Sequence, residues 1–306
     1  MKEIFLRFKI NRIVRKQAKT ANYLNSNYIQ PYFENRAKRW LIAPKQNLET
    51  EKIVWQFWFQ GIDENLPPLV RVCFASVDKY MSDYKIIRLT KDNISDYVDL
   101  PDFALQKIGK RQSKINKTDF KMAHFSDLLR VCLLEVYGGV WLDAKILLTG
   151  KIDETILNSN FFMFQRTEKP PKDEKIWINH YAKYFSWRAD FKVRSLNSFI
   201  VGKKGNALLN IMQDMLLNYW ENETEVKHYF WFQILFHEII NRNDCKSLNC
   251  KITNDIDPHR MLVAIKQDWT LEKWNEICKA SQIHKLRFVK NYSKNSFYSK
   301  IIQILK

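Results

Sequence analysis

"YGGVWLDAKILLTG", Tyr137 to Gly150, is the stretch on which the reading of this chain turns. Two glycines lead into a β-branched and aromatic run that carries one aspartate, Asp143. Two positions on stands a lysine, Lys145. Upstream, "KTDFKMAHFSDLLRVCLLEVYGG" is apolar at helical spacing, with Thr118 or Asp119 placed to cap it and Gly138 suited to end it. A helix, a glycine turn and a hydrophobic strand make one unit of an α/β protein. Read as one strand, Val140–Leu148 turns Trp141, Asp143 and Lys145 to one face and Val140, Leu142, Ala144 and Ile146 to the other.

Working outward, "EKIVWQFWFQG" (51–61) predicts a core strand ended by glycine, and "YKIIRL" (84–89) a second strand. The stretch between them, "LPPLVRVCFASVDKYM", predicts a helix with Pro68 in its first turn. Strand, helix, strand with short connections begins a parallel sheet. Beyond Gly150, "NSFIVGKKGNALLNIM" holds a strand and a helix, and "KHYFWFQILFHEIINR" reads as a buried helix. No repeat is visible and no linker divides residues 50–285. The expected organisation is one α/β domain over 49–288, with a basic helical segment at 1–48 and a basic tail at 289–306.

Of the 306 residues, 46% are hydrophobic and 14% aromatic, which excludes a mainly disordered chain. Seven Gly and eight Pro exclude a fibre or a Pro-rich spacer. A net charge of +17 calls for an anionic partner: nucleic acid, an acidic membrane or a phosphorylated substrate. The charge gathers at the ends; the first 20 residues hold seven Lys or Arg against one acid. No apolar run is long enough to span a bilayer. Five scattered cysteines complete no zinc site and read as reduced thiols of a cytoplasmic protein.

Several residues invite chemistry, and each has a plain structural reading beside it. Asp127 and Arg130 share a helix face and form either an ordinary ion pair or part of a site. Asp143 and Lys145 form either an Asp–Lys pair at a strand edge or a charged pocket wall. Trp55 is either core or a stacking surface. Asp255 and Asp257, with His259 beside them, make either a turn or a late metal or substrate ligand. His228 and His237 belong to an aromatic helix, and His237–Glu238 lacks the second histidine of a zinc protease. Neither a Gly-x-Gly-x-x-Gly element nor a Walker loop is present.

"SDLLRVCLLEVYGGVWLDAKILLTG" together with "KIVWQFWFQG" resembles the capsular polysaccharide synthesis proteins, among the sugar-binding DxD-region glycosyltransferases related to glucosylating bacterial toxins. "NSFIVGKKGNALLNIM", "HYFWFQILFHEI" and "IHKLRFV" agree, so the resemblance covers roughly residues 50–288. It implies a GT-A fold and transfer from a nucleotide sugar, a UDP-sugar first, with retention. On that analogy Asp127 and Arg130 hold ribose and sugar, Trp55 stacks on the base with Gln56 beside it, and Trp141 lines the donor pocket. Asn197, His284 and Lys285 approach the donor. Asp143 is the first acid of the DxD element. A metal, Mn²⁺ or Mg²⁺, is expected on Asp143, with Asp257 as a late ligand.

Lys145 departs from that pattern, because a protonated lysine ligates no metal. Either Asp143 keeps the metal with ligands from elsewhere, or Lys145 itself neutralises the leaving diphosphate. The resemblance further implies a bacterial surface glycan as acceptor, on a lipid carrier at the inner membrane face. The basic ends, with Ile4, Phe5, Phe8, Ile13 and Val14, would hold the protein on an anionic membrane. Two rivals stay open: an inactive family member acting in assembly, and a basic scaffold that binds nucleic acid or membrane. Charge confined to the ends and the lack of a nucleic-acid motif argue against nucleic acid.

Overall fold

The computed structural model describes residues 2–109 and 119–304. Seven strands are present among them: β1 (Ile53–Phe57), β2 (Lys85–Leu89), β3 (Gly139–Leu142), β4 (Ile146–Leu148), β5 (Phe161–Gln165), β6 (Ser195–Gly202) and β7 (Ile283–Lys285). Five form the central sheet in the order β2-β1-β3-β6-β5, while β4 and β7 make a separate ladder. β1 runs parallel to β2 and β3, and β6 runs antiparallel to both β3 and β5. This mixed, largely parallel α/β sheet agrees with the GT-A layout expected from the sequence.

The alternation of β1 decides what covers each face. Ile53, Trp55 and Phe57 pack with the helices Met122–Tyr137, Ala207–Asn222 and Trp231–Ile240. Val54 points the other way, with Val77 and Met81 of the helix region beginning at Pro68. Both faces are therefore buried, as a parallel sheet requires.

The glycine pair is needed for steric reasons. Gly138 and Gly139 adopt φ of +74° and +101°, where side chains other than glycine's are strained. A Cβ on Gly139 would come 2.5 Å from the Ile53 carbonyl oxygen, and one on Gly138 would come 2.7 Å from the Lys204 nitrogen. The sharp turn lays β3 directly against β1.

The single strand expected over 140–148 is two strands. β3 stops at Leu142, where the Asp143 N–H donates to Ser198 O (2.9 Å) and the Ile146 N–H to Asp143 O (2.9 Å). Asp143–Lys145 is therefore a turn at the carboxyl end of the sheet, the usual location of ligands in open α/β folds. The chain leaves the sheet because β4 has its own burial to satisfy. Ile146 and Leu148 pack with Val77 and Met81, and Leu147 packs with Leu69 and Cys73.

Two other local expectations differ. The helix before the glycines begins at Met122, where the Lys121 N–H donates to His124 Nδ1 (3.1 Å), so Asp119 lies outside it. Thr118, the alternative cap, is outside the described residues. The basic ends are seated on the domain. From the N-terminal helix (Lys2–Leu24), Val14, Ala21 and Leu24 join the main core, while Phe297, Tyr298 and Ile301 pack with Leu69.

Candidate active site

A cavity of about 530 Å³ opens at the carboxyl ends of β1 and β3, a volume typical of small-molecule sites. The helix Met122–Tyr137 is buried almost all round, so its charged face has only this cavity to meet. Arg130, 3% exposed, is held by Ser126: Nε donates to the backbone oxygen (2.9 Å) and Nη2 to Oγ (3.0 Å). Its Nη1 donates to Asn197 O. Nη2 also lies 3.3 Å from Asp127 Oδ1 and 3.1 Å from Asp143 Oδ1, so one guanidinium bridges two aspartates.

The network continues on both sides. Asp127 Oδ1 accepts from Asn197 Nδ2 (2.8 Å), and Asn197 Oδ1 accepts from Gln233 Nε2 (3.1 Å). Asp143 Oδ1 accepts from Trp141 Nε1 (2.9 Å), and Asp143 Oδ2 accepts from Lys285 Nζ (2.6 Å). Burial drives the Asp127 carboxyl up to about 7, Arg130 pulling against it and Asp143 adding to it. Asp143 shows the opposite balance. Burial raises it too, but Lys285 and Arg130 outweigh that and hold it below the ordinary carboxylate range. One acid of the pair is thus firmly ionised and the other sits near neutrality.

Lys145 and Arg287 complete the charged lining. Lys145 Nζ stands 5.0 Å from the Phe288 ring centre, and burial, then the charge of Lys285, lowers its pKa. Four cations (Arg130, Lys145, Lys285 and Arg287) face Asp127 and Asp143, so the cavity carries a surplus of positive charge.

The structure thus gathers Asp127, Arg130, Asp143, Lys145, Asn197 and Lys285 in one place. Other expected site residues lie elsewhere. Trp55 is wholly buried between Tyr97 and Tyr137, and its Nε1 donates to Gly138 O (2.9 Å), so it has no face to offer a base. Gln56 is buried on the opposite face of β1, accepting from Arg88 Nε (3.1 Å). Trp141 is buried beneath the network and reaches the site only through Asp143 and the Arg130 guanidinium, 5.2 Å from its ring.

His284 is excluded by strand parity. Its neighbour Lys285 faces the cavity, so His284 points inward, where Nε2 meets Thr149 Oγ1 (2.9 Å). Burial lowers its pKa to about 3, so it brings no charge to a diphosphate. Asp257 pairs with Arg260 (2.7 Å) outside the cavity. Asp255 is consumed by a fully buried pair with Arg166, at 2.6 and 3.2 Å. His259 lines the cavity but is buried, its Nδ1 2.6 Å from Asp255 O.

Some lining residues escaped the sequence reading. Trp58 and Phe59 follow the last residue of β1 and line the cavity half-exposed, the position an aromatic needs in order to stack on a ligand. A signal existed: the aromatic nearest the strand-ending glycine, not the first one, lies at the carboxyl end. Gln233, Tyr181 and Tyr229 had no such signal.

The donor set does not fit a divalent cation. Such an ion on a DxD-type element needs carboxylate oxygens with free lone pairs. Both oxygens of Asp143 are engaged by cations, and Lys145 stands where the second acid would be. Among the described residues, no three His, Cys, Asp or Glu side chains come together to share an ion.

The sequence model of the family described as "Capsular polysaccharide synthesis protein" matches residues 6–301. The O-glycosyltransferase braB of Annulohypoxylon truncatum is 26% identical over 204 residues, which is 65% of this chain and 44% of that protein. The match thus spans less than half the length of that relative. A solved structure, "PaToxG Glycosyltransferase", covers 92% of this chain and 100% of its own, at 13% identity and a TM-score of 0.39.

Proposed function

The chain belongs to the capsular polysaccharide synthesis protein family, and on that premise we propose that it is a glycosyltransferase with a nucleotide-sugar donor of the UDP class. One observation carries the reading: the Asp127–Arg130–Asp143 network and a surplus of cations face a single cavity at the carboxyl end of the sheet. Asp127 and Asn197 offer hydrogen-bonding groups to donor hydroxyls, and Trp58 offers a ring to the base. The acceptor is a hydroxyl of a surface polysaccharide. Tyr181 and Tyr229, 42% and 49% exposed among the cavity-lining residues, suit the apolar faces of acceptor sugars.

In the reaction, the bond from the anomeric carbon to the β-phosphate oxygen breaks, and the nucleoside diphosphate leaves with the electron pair. The acceptor oxygen bonds to the anomeric carbon, and its proton passes to the departing phosphate. With retention of configuration, as in the families this chain resembles, no side chain has to serve as base. Positioning and charge stabilisation supply the rate.

Calorimetric titration with UDP, GDP and CDP tests the donor site. Stacking on Trp58 contributes about 1–3 kcal/mol, so Trp58→Ala should weaken UDP binding by about 5–150-fold. Trp55→Phe should lower stability yet leave UDP affinity within about twofold. Unchanged affinity in Trp58→Ala rejects the stacking role, and failure of all three nucleotides to bind rejects the donor reading.

The same proposal places the protein in the cytoplasm, on the inner face of an anionic membrane, acting on a lipid-linked acceptor. No helix among the described residues is long and apolar enough to cross a membrane. The start of the N-terminal helix exposes Ile4, Phe5 and Phe8 (62, 76 and 69%) beside exposed Arg7, Lys9 and Arg12, while its later turns are anchored in the core. An anionic surface adds about 1 kcal/mol per basic residue near it. The double variant Phe5→Glu/Phe8→Glu should lose flotation with phosphatidylglycerol vesicles at low salt. Flotation equal to wild type, or tighter retention on duplex DNA than on vesicles, counts against membrane attachment.

A further inference from the structure

The disagreement between the donor set and a metal has a positive side, and it rests on the glycosyltransferase reading above. Lys145 and Lys285 come from segments far apart in the chain and are fixed side by side by backbone. β4 pairs antiparallel with β7 so that Ile146 stands opposite Lys285, and the Leu286 N–H donates to Lys145 O (2.9 Å). Neither ammonium is on a loose surface loop. Lys285 is tied to Asp143, whereas Lys145 makes no ion pair among the described residues and has the Phe288 ring as its neighbour.

Holding a half-buried ammonium beside a second one is unfavourable unless an anion joins them. By formal charge the four lining cations outnumber the two aspartates by two, and the raised pKa of Asp127 widens that excess. The diphosphate bridge of a nucleotide sugar carries two negative charges, and a divalent ion would supply the same two positive ones. Arg287, exposed at the rim, follows Lys285 by two residues and extends the cationic edge outward.

We propose that Lys145 and Lys285, extended by Arg287, form a permanent cationic cradle for the donor's diphosphate, so that binding and departure of the nucleoside diphosphate need no divalent metal. Asp143 then acts as a positioning residue: it aims Lys285 and Arg130 and ligates nothing. The second acid of a DxD element and a bound ion are replaced by one side chain.

Titrations with UDP and with inorganic pyrophosphate, each in EDTA and in Mn²⁺, test this on the intact chain. Wild type should bind both ligands in EDTA, and Mn²⁺ should change affinity by no more than about twofold. Lys145→Ala should weaken both by about tenfold or more, Lys145→Arg should retain most of the affinity, and Lys145→Asp should weaken both further with no rescue by Mn²⁺, because Arg130 and Lys285 still engage both oxygens of Asp143. Circular dichroism confirms that each variant is folded, and the Arg variant separates lost charge from lost packing. If Mn²⁺ tightens wild-type UDP binding tenfold, or Lys145→Ala binds as wild type in EDTA, the cradle is overturned while the donor reading stands. If neither UDP nor pyrophosphate binds under any condition, both fall together.

Discussion

Asp143→Asn is expected to lower kcat/KM for glycosyl transfer by about 10²–10³-fold while the chain still folds. The carboxylate touches three groups at once: Trp141 Nε1, Arg130 Nη2 and Lys285 Nζ. Asparagine keeps the shape and one acceptor oxygen but not the charge that aims two cations. On the donor reading proposed above, what is lost is the preorganised field toward the leaving phosphate. Steady-state kinetics with the accepted donor measure it, and a variant as active as wild type would sink the positioning role. The same residue affects acid stability. Lys285 and Arg130 hold its folded pKa below the unfolded value, so its charge adds stability above about pH 4. That increment drains away as pH falls through the folded value. Asp143→Asn should therefore lose less stability than wild type across that acid range.

The second large effect is on stability. Arg166 and Asp255 have fully buried side chains, paired at 2.6 Å, and Tyr184 OH donates to Asp255 Oδ2 (3.0 Å). Arg166 Nη1 also donates to Tyr184 O (2.6 Å), so the pair braces a residue that lines the cavity. Removing one partner leaves a charge without compensation. Asp255→Ala should cost about 3–5 kcal/mol, read as a lower urea midpoint. The double replacement Arg166→Met/Asp255→Leu should recover most of that loss, because well-packed apolar groups often replace buried pairs without penalty. If the double variant is no more stable than Asp255→Ala, the cost arises from packing around Tyr184 and not from the stranded charge.

What could be read from the sequence was what is encoded locally. Asp127 and Arg130 are one helical turn apart, and the glycines, Asp143 and Lys145 follow directly, so their assembly needed no knowledge of distant contacts. The alternation of β1 was also legible, but alternation does not say which end of a strand meets the ligand. The family resemblance points to Trp55 as the stacking ring, whereas Trp58, just past the strand's end, is the tryptophan of this stretch that lines the cavity. His284 and Lys285 differ by one residue and therefore point in opposite directions, which becomes clear only once the pairing of β7 with β4 is known. Acid-x-acid is a short pattern that suggests a ligand at Asp257, whereas the structure pairs Asp257 locally with Arg260 and buries Asp255 against the distant Arg166. The contact of Gln233 with Asn197 likewise joins segments with no shared local signal.

The ladder of β4 and β7 also orders events in time. Asp143 and the lysine it orients are separated by 142 residues. A chain emerging at about 5–20 residues per second carries Asp143 for on the order of ten seconds before Lys285 exists. Throughout that interval the central sheet can collapse around β1 and β3, but the cavity lacks one wall and half of its lysine pair. The cavity is therefore completed late, when β7 docks on β4. A nascent chain stalled before residue 283 would hold the five-stranded sheet's segments without Lys285 and without the C-terminal residues that pack on Leu69.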